Sequence, residues 1–361
     1  MPSLDSFTAF VRATGSKVAT NPEDIINDAA KNTYLIARML KGRDANMSLQ
    51  SGQNIIDRVQ LSDSGTAQFF HPNDDLDIQN VDNLSSIELD WRFIADHYSY
   101  TEQEVTLNSG DPQTYYKNLL KSKRMATKTA TLNKMEDQLW AAPSNAQMES
   151  SSGVQPYSFT ALVTSDGLAP SGFTTIHGLN PSTNENWRNQ TATYDPSAVA
   201  DTDTGLVQAF DRMFHLVRFV APRSMQEYFE SDLLQKMTIA TNLDGMLIYQ
   251  RLTRDANDRL TPANNLGWVA GNVTYSGIPL EYVSTLNDAL VNSGSALTSG
   301  EPWYWWLNLE YIFPIFHTEK YMVESDPMSH PKQPFSRVVW TQTYYNLFCR
   351  SRKRQGLITA A

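Results

Sequence analysis

The stretch DPQTYYKNLLKSKRMATKTATLNKMEDQLW, residues 111–140, decides how the chain is organised. Asp111 caps a helix and Pro112 occupies its first turn, where the N–H that proline lacks has no partner in any case. Between there and Trp140 stand no Gly and no further Pro. Thirty helical residues at this place would span about 45 Å. Tyr115, Tyr116, Leu119, Leu120, Leu132, Met135 and Leu139 are its apolar members. Lys117, Lys121, Lys123, Arg124, Lys128 and Lys134 stand against Glu136 and Asp137, so the segment is basic within an acidic chain. Its charged side is either a solvated helix face or a stripe that meets a carboxylate partner or an enclosed polyanion.

Working upstream, Ile87, Leu89, Trp91 and Phe93 alternate with Glu88, Asp90 and Arg92, the period of a half-buried strand. Tyr98, Tyr100, Val105 and Leu107 carry the predicted strand from about Ser86 to residue 108, long for a strand inside a globule. It suits an arm that reaches out and returns. Residues 43–84 read as an excursion with little core of its own. Gly52, Gly65, Pro72 and many Asp, Asn and Ser punctuate short apolar runs such as Ile55-Ile56 and Phe69-Phe70. Before it, Asn21, Pro22, Glu23 and Asp24 open a helix that Gly42 stops, and residues 1–20 read as a flexible arm.

Downstream, residues 142–204 are loop-rich with short strands. Leu206, Phe210, Met213, Phe214 and Val217 sit at helical spacing, and Ser224 caps a predicted helix that runs to Met237. Tyr275, Ile278 and Leu280 are strand-like, and Trp303 to Phe348 is aromatic and β-rich with Pro314, Pro327, Pro331 and Pro334 breaking it. No internal repeat is visible. Two elongated elements joined to at least two packed regions suggest a plate with an arm.

Composition narrows the class. The chain has 361 residues, 29 Lys+Arg against 39 Asp+Glu, and a formal charge of −10. It is 41% hydrophobic and 11% aromatic, yet only 19% charged. A disordered chain would have few aromatics and more charge. No apolar run is long enough for a membrane helix, and no apolar segment near the start suggests a secretory signal. The single Cys349 excludes a disulfide scaffold and reads as a buried packing residue. A surface poor in charge and rich in aromatics suggests coverage by partners. The acidity argues against a sequence-reading DNA binder, but not against a protein that encloses nucleic acid without gripping it.

The chemical motifs are weak. Asp203-Thr204-Gly205 and Asp63-Ser64-Gly65 match aspartic-protease triplets, but neither ends a hydrophobic strand. A calcium loop opening at Asp201 would need Glu where Arg212 stands. The six histidines include no i, i+3 or i, i+4 pair. Trp303, Tyr304, Trp305 and Trp306 read as core or subunit interface before a sugar platform. Arg350, Arg352, Lys353 and Arg354 form a basic cluster, either a solvated turn or a contact for nucleic acid or an acidic neighbour. No catalytic residue, cofactor or metal is expected.

In its order of elements the chain resembles the major capsid proteins of tailed bacteriophages, which have the Johnson fold named after the Hong Kong phage capsid. Gly178-Leu179-Asn180 followed by Asn186-Trp187-Arg188-Asn189-Gln190 is similar to the family segment leading towards the axial domain. Tyr275-Ser276-Gly277-Ile278-Pro279-Leu280 is similar to the strand before the axial loop. Tyr345-Asn346-Leu347 and then Arg350 to Gly356 resemble the closing strand and its basic turn. The resemblance implies an α+β subunit with an N-terminal arm (1–42) and an extended β-hairpin loop (43–108). A peripheral domain (109–195) would follow with its spine helix at 112–141, then an axial domain (196–312) and a C-terminal return to the peripheral domain (313–361).

It further implies pentamers and hexamers closing an icosahedral virion shell around double-stranded DNA, assembled in the host cytoplasm without membrane or cofactor. A portal and a decoration protein are possible partners. A separate scaffolding protein is expected, because only about 20 residues precede the first helix of the arm. The Lys–Asn pair with which some relatives cross-link is not identifiable. Expected interface residues are Ile87, Leu89, Trp91, Phe93, Trp187 and Arg188. Lys117, Lys121, Lys123, Arg124, Lys128, Arg350, Arg352, Lys353 and Arg354 are candidates for contact with DNA or an acidic partner. The rival readings are an encapsulin-like compartment and, from a different class, a secreted glycan-active enzyme or binding module.

Overall fold

A computed structural model describes residues 35–40, 48–49, 52–62, 65–67, 69–71, 84–107, 112–197, 199, 205–218, 237–259, 273–287, 302–330 and 332–360. The described residues begin with α1 (Leu35–Leu40), β1 (Ser48–Leu49), β2 (Asn54–Gln60), β3 (Leu84–Asp90) and β4 (Arg92–Thr101). Helices α2 (Glu102–Leu107), α3 (Pro112–Leu139), α4 (Asn145–Met148) and α5 (Phe159–Leu162) follow. Then come β5 (Gln190–Tyr194), α6 (Leu206–Arg218), β6 (Met237–Thr241), α7 (Leu243–Arg259), β7 (Thr274–Tyr275) and β8 (Ile278–Tyr282). The last part is mostly strand: β9 (Tyr304–Asn308), β10 (Ile312–His317), β11 (Val323–Glu324), β12 (Met328–His330), β13 (Gln333–Cys349) and β14 (Gly356–Ala360), with short 3-10 turns at Thr318–Lys320 and Arg352–Arg354. The predicted arm of residues 1–20, the first turns of the helix after it and the helix expected from Ser224 lie outside the described residues. Met237, expected to end that last helix, instead begins a strand.

The described residues fall into two compact units, the smaller from 97–130 and 325–340, the larger from 31–96, 131–324 and 341–361. In the larger unit a sheet runs in the order β5-β14-β9-β6-β8-β7. Its central strand β9 is apolar at nearly every position, which suits a strand covered on both faces. Successive residues point to opposite faces. Tyr304 and Trp306 therefore join one core, where Phe210 of α6 meets their rings edge-on at 4.9 and 5.4 Å. Trp305 and Leu307 join the other, where Trp140 lies 5.7 Å from Trp305. The aromatic run is thus the partition between two cores. The sheet also takes in β5 and β14, so the expected boundaries at 195/196 and 312/313 cut across it: Gly356–Ala360 pairs in parallel with Gln190–Tyr194.

A second sheet has the order β1-β10-β13-β11, with β4 also on β13. Pro314 does not break it, but sits inside β10 opposite Leu347. The expected hairpin is formed by β2 and β3, paired from Asn54↔Asp90 to Gln60↔Leu84. Its inward face packs on the rest of the subunit: Ile55, Ile87 and Leu89 are buried in one cluster with Leu35, Ile36, Met135 and Leu139. Helix α7 was not legible in advance. Its start is an Asn cap, with the Gly245 N–H donating to Asn242 Oδ1 at 2.8 Å.

In the smaller unit the single long strand expected over 86–108 ends early. Thr101 and Glu104 make a capping box: the Glu104 N–H donates to Thr101 Oγ1 at 3.2 Å, and the Thr101 N–H to Glu104 Oε2 at 3.1 Å. Two reciprocal bonds satisfy donors at the helix start, so the chain turns into α2 although Val105 and Leu107 carried the alternation on. Arg337 of β13 donates from Nε and Nη2 to Glu102 Oε1 at 3.1 and 2.8 Å, and β12 pairs with the first part of β13.

Gly153 closes a tight loop behind α4, donating to Ser150 O at 2.8 Å while Gln155 donates to Gln147 O at 3.0 Å. A Cβ at 153 would press into the Gln147 carbonyl group and the Ser150 oxygen, all backbone that cannot rotate away. Gly153→Ala is expected to destabilise the fold by about 2 kcal/mol, the scale of overpacking. A denaturation midpoint unchanged from the parent would contradict the close approach.

Candidate assembly surface

The residues expected at an interface divide by burial. Ile87, Leu89 and Trp91 are 0%, 3% and 9% exposed, and Trp187 is 0% exposed, so all four belong to this chain's own core. The alternation that nominated them is the signature of one buried face, and the buried face is satisfied within the subunit. Trp91 Nε1 donates to Gly52 O at 3.0 Å, and Trp187 Nε1 donates to Ile176 O at 3.2 Å. Arg188 bends back to Pro181 O and Ser182 O at 2.8 and 3.0 Å. Phe93 alone stays at the surface, 64% exposed, with its ring against Tyr344.

The basic candidates also divide by burial. Arg352 is fully buried and is a hub rather than a contact. Its Nε donates to Leu162 O at 2.6 Å, Nη1 to Trp187 O at 3.1 Å, and Nη2 to Leu168 O at 3.0 Å and Asn189 Oδ1 at 3.2 Å. Removal from water pulls its pKa down to about 10. Arg354 is also buried. Arg350 pairs with Asp57 of the hairpin at 2.7 Å, and Lys353 donates to Asn186 Oδ1 at 2.6 Å. On α3, Lys123 donates to Ser99 O at 2.9 Å and Glu104 Oε2 at 3.2 Å, Arg124 is exposed, and Lys128 is half-buried. The side chains of Lys117 and Lys121 lie outside the described residues.

Outward apolar side chains include those on the far side of the hairpin and in the segment beyond β2, besides Val154, Met328 and Phe335. Ile56 and Leu84 are 60% and 57% exposed, and Phe69 and Phe70 are 108% and 65% exposed. The Phe69-Phe70 pair was visible in the sequence as an apolar run among Gly, Asp and Asn. Strand alternation gave it no weight.

Among the described residues no cluster of His, Cys, Asp and Glu could hold a metal. Asp203, Thr204, Asp63 and Ser64 of the protease-like triplets lie outside them. Among the described residues no helix is long and apolar enough to cross a membrane. Burial pushes the Cys349 thiol up to about 12, as fits a packing residue.

No protein-family model matches the chain, and no curated protein matches it in sequence. Solved structures do. The subunit in the cyanophage A-1(L) capsid asymmetric unit superposes with a TM-score of 0.55 at 12% identity, covering 94% of this chain and 96% of that one. The bacteriophage PhiM1 mature capsid gives 0.51 at 11% identity, over 96% and 92%. The holo encapsulin complex of Synechococcus elongatus PCC 7942 gives 0.50 at 12% identity, over 97% and 94%. The chain has the α+β Johnson fold of phage capsid subunits along nearly its whole length, as its order of elements led one to expect.

Proposed function

We propose that the chain is a major capsid protein, a structural subunit that assembles with copies of itself into a closed icosahedral shell. The observation that carries this is the agreement in fold with capsid subunits over 94% or more of the chain. In this reading β2–β3 and the segment between them are the extended loop, and α3 is the spine helix. The β5-β14-β9-β6-β8-β7 sheet with α6 and α7 is the axial domain. The exposed Phe69, Phe70, Ile56 and Leu84 lie against a neighbouring copy, since apolar side chains so open to water gain most from burial on assembly.

Pentamers and hexamers, a separate scaffolding protein, a portal and enclosed double-stranded DNA complete the proposal, with the virion capsid as the location. A net charge of −10 keeps phosphate from adhering to the wall, because backbone affinity comes from cationic groups that displace counterions. The encapsulin match supports a second reading, a shell that encloses enzymes. Electron microscopy of the purified chain, with and without a co-expressed scaffold, tests both. Closed particles with nucleic-acid absorbance are the expected result. Particles filled with protein favour the compartment, and a monomer under every condition removes both.

A further inference from the structure

Among the described residues His177 is a core side chain that packing alone does not account for. It is the first central residue of a two-residue turn in which Ile176 and Leu179 exchange backbone hydrogen bonds of 2.8 and 3.1 Å. Both central residues have positive φ, 55° at His177 and 79° at Gly178, the pattern of a type I′ turn. The usual first residue of such a turn is a short Asn or Asp pointing to water. Here the side chain points inward and is fully buried, and neither ring nitrogen has a hydrogen-bond partner. The ring lies edge-on to Tyr157, centroids 4.5 Å apart, and stacks on Phe348 of β13. On the backbone side, His177 O accepts the Glu88 N–H of β3 at 3.2 Å. One residue thus combines a left-handed backbone, an unsatisfied buried ring and a backbone tie to the hairpin.

We propose that His177 is an acid-sensitive latch: its neutral ring, seated between Tyr157 and Phe348, holds the 176–179 turn in place and with it the tie to β3, and protonation expels the ring and frees the hairpin strand. Of the groups acting on a charged ring, only the Cys349 backbone favours it. Arg352 of the 352–354 turn adds a like charge, Tyr157 is a neutral phenol, and Cys349 offers a buried thiol and a backbone group that gives slight support to the cation. Glu149, at the end of α4, is engaged by Thr175 and by the Gly178 backbone, and Glu88 is exposed on β3. Burial first and Arg352 second hold the ring's pKa down to about 3.

The sign follows from that depression. Above the free value of about 6.5 both the closed and open states are neutral and the latch is indifferent to pH. As pH falls through about 6.5 only the open state binds the proton, so the open population grows up to tenfold per pH unit until about pH 3. The Asp57–Arg350 pair anchors the same hairpin independently and stays in place in every variant below.

The test is hydrogen exchange over residues 84–90 of the full-length, unassembled chain from pH 7 to 4, corrected for intrinsic exchange. It is independent of whether the chain forms shells. Wild type is expected to lose protection by about tenfold per pH unit below about pH 6. His177→Asn, which tolerates positive φ and does not titrate, is expected to remove that slope whatever its overall stability. A nitrogen NMR titration of the wild-type ring supplies a readout that needs no variant. A ring that titrates near 6.5 while β3 remains protected overturns the latch. So does a slope that survives in His177→Asn and disappears in Glu149→Gln, which would place the switch on the carboxyl.

Discussion

Arg352→Met is expected to destabilise the subunit by about 4 kcal/mol, the largest effect of any single substitution considered. The guanidinium has no exposed surface and holds together three segments distant in sequence: α5 through Leu162 O, the following loop through Leu168 O, and the 187–189 turn through Trp187 O and Asn189 Oδ1. Met fills the place of the aliphatic stem but donates nothing. Asn189 Oδ1 keeps the Thr164 N–H at 3.1 Å and Leu168 O keeps the Thr164 hydroxyl at 2.8 Å. Leu162 O and Trp187 O lose the donor that Arg352 supplies, at about 1–3 kcal/mol each. Arg352→Lys is expected to recover less than half, since an ammonium lacks the planar fork that reaches several acceptors at once. Chemical denaturation of both variants checks this. A loss below about 1 kcal/mol for the Met variant would mean that the hub is not what holds this junction.

The second large effect concerns assembly and leaves the fold alone. Replacing Phe69 and Phe70 together by Asp is expected to reduce the yield of closed particles by more than tenfold, with the denaturation midpoint of the subunit unchanged. Both rings are exposed in the single chain, so their loss costs the folded monomer little, within about 0.5 kcal/mol. Burial of one such ring at a contact is worth about 1.5–3 kcal/mol, and 1.4 kcal/mol is a factor of ten in an equilibrium constant. The paired Ala variant separates lost apolar contact from added negative charge and is expected to fall between. Particles at wild-type yield from the Asp variant would move the contact elsewhere. Reduced yield with a lowered midpoint would show that the rings support the subunit itself.

Burial explains why some features were legible and others were not. Helix α3 was readable because Asp111-Pro112 marks its start and nothing interrupts it, and the observed Pro112–Leu139 lies within two residues of the expected end. Strand β3 was readable from its two-residue period, and the hairpin followed from the resemblance. The capping box of Thr101 and Glu104 went unread, because the apolar alternation continued through Val105 and Leu107. Four of the interface candidates, Ile87, Leu89, Trp91 and Trp187, are buried within the subunit. Period-2 alternation says that one face of a strand is covered, and it carries no information on whether the cover is the same chain or another. Ile87, Leu89 and Trp91 are covered by this chain.

The same ambiguity governs charge. By itself the sequence determined an acidic, charge-poor, aromatic-rich chain whose long helix, hairpin and β-rich end follow in the order of a capsid subunit. These are consequences of local propensity, capping and periodicity, which act over a few residues. Only the tertiary structure decided that Arg350 pairs with the hairpin, that Arg352 is buried among carbonyls, and that the ring of His177 turns inward without a partner. Each of those outcomes depends on which distant backbone group arrives beside the side chain. Contacts such as Arg352 with Leu162, 190 positions apart, leave no trace in local pattern.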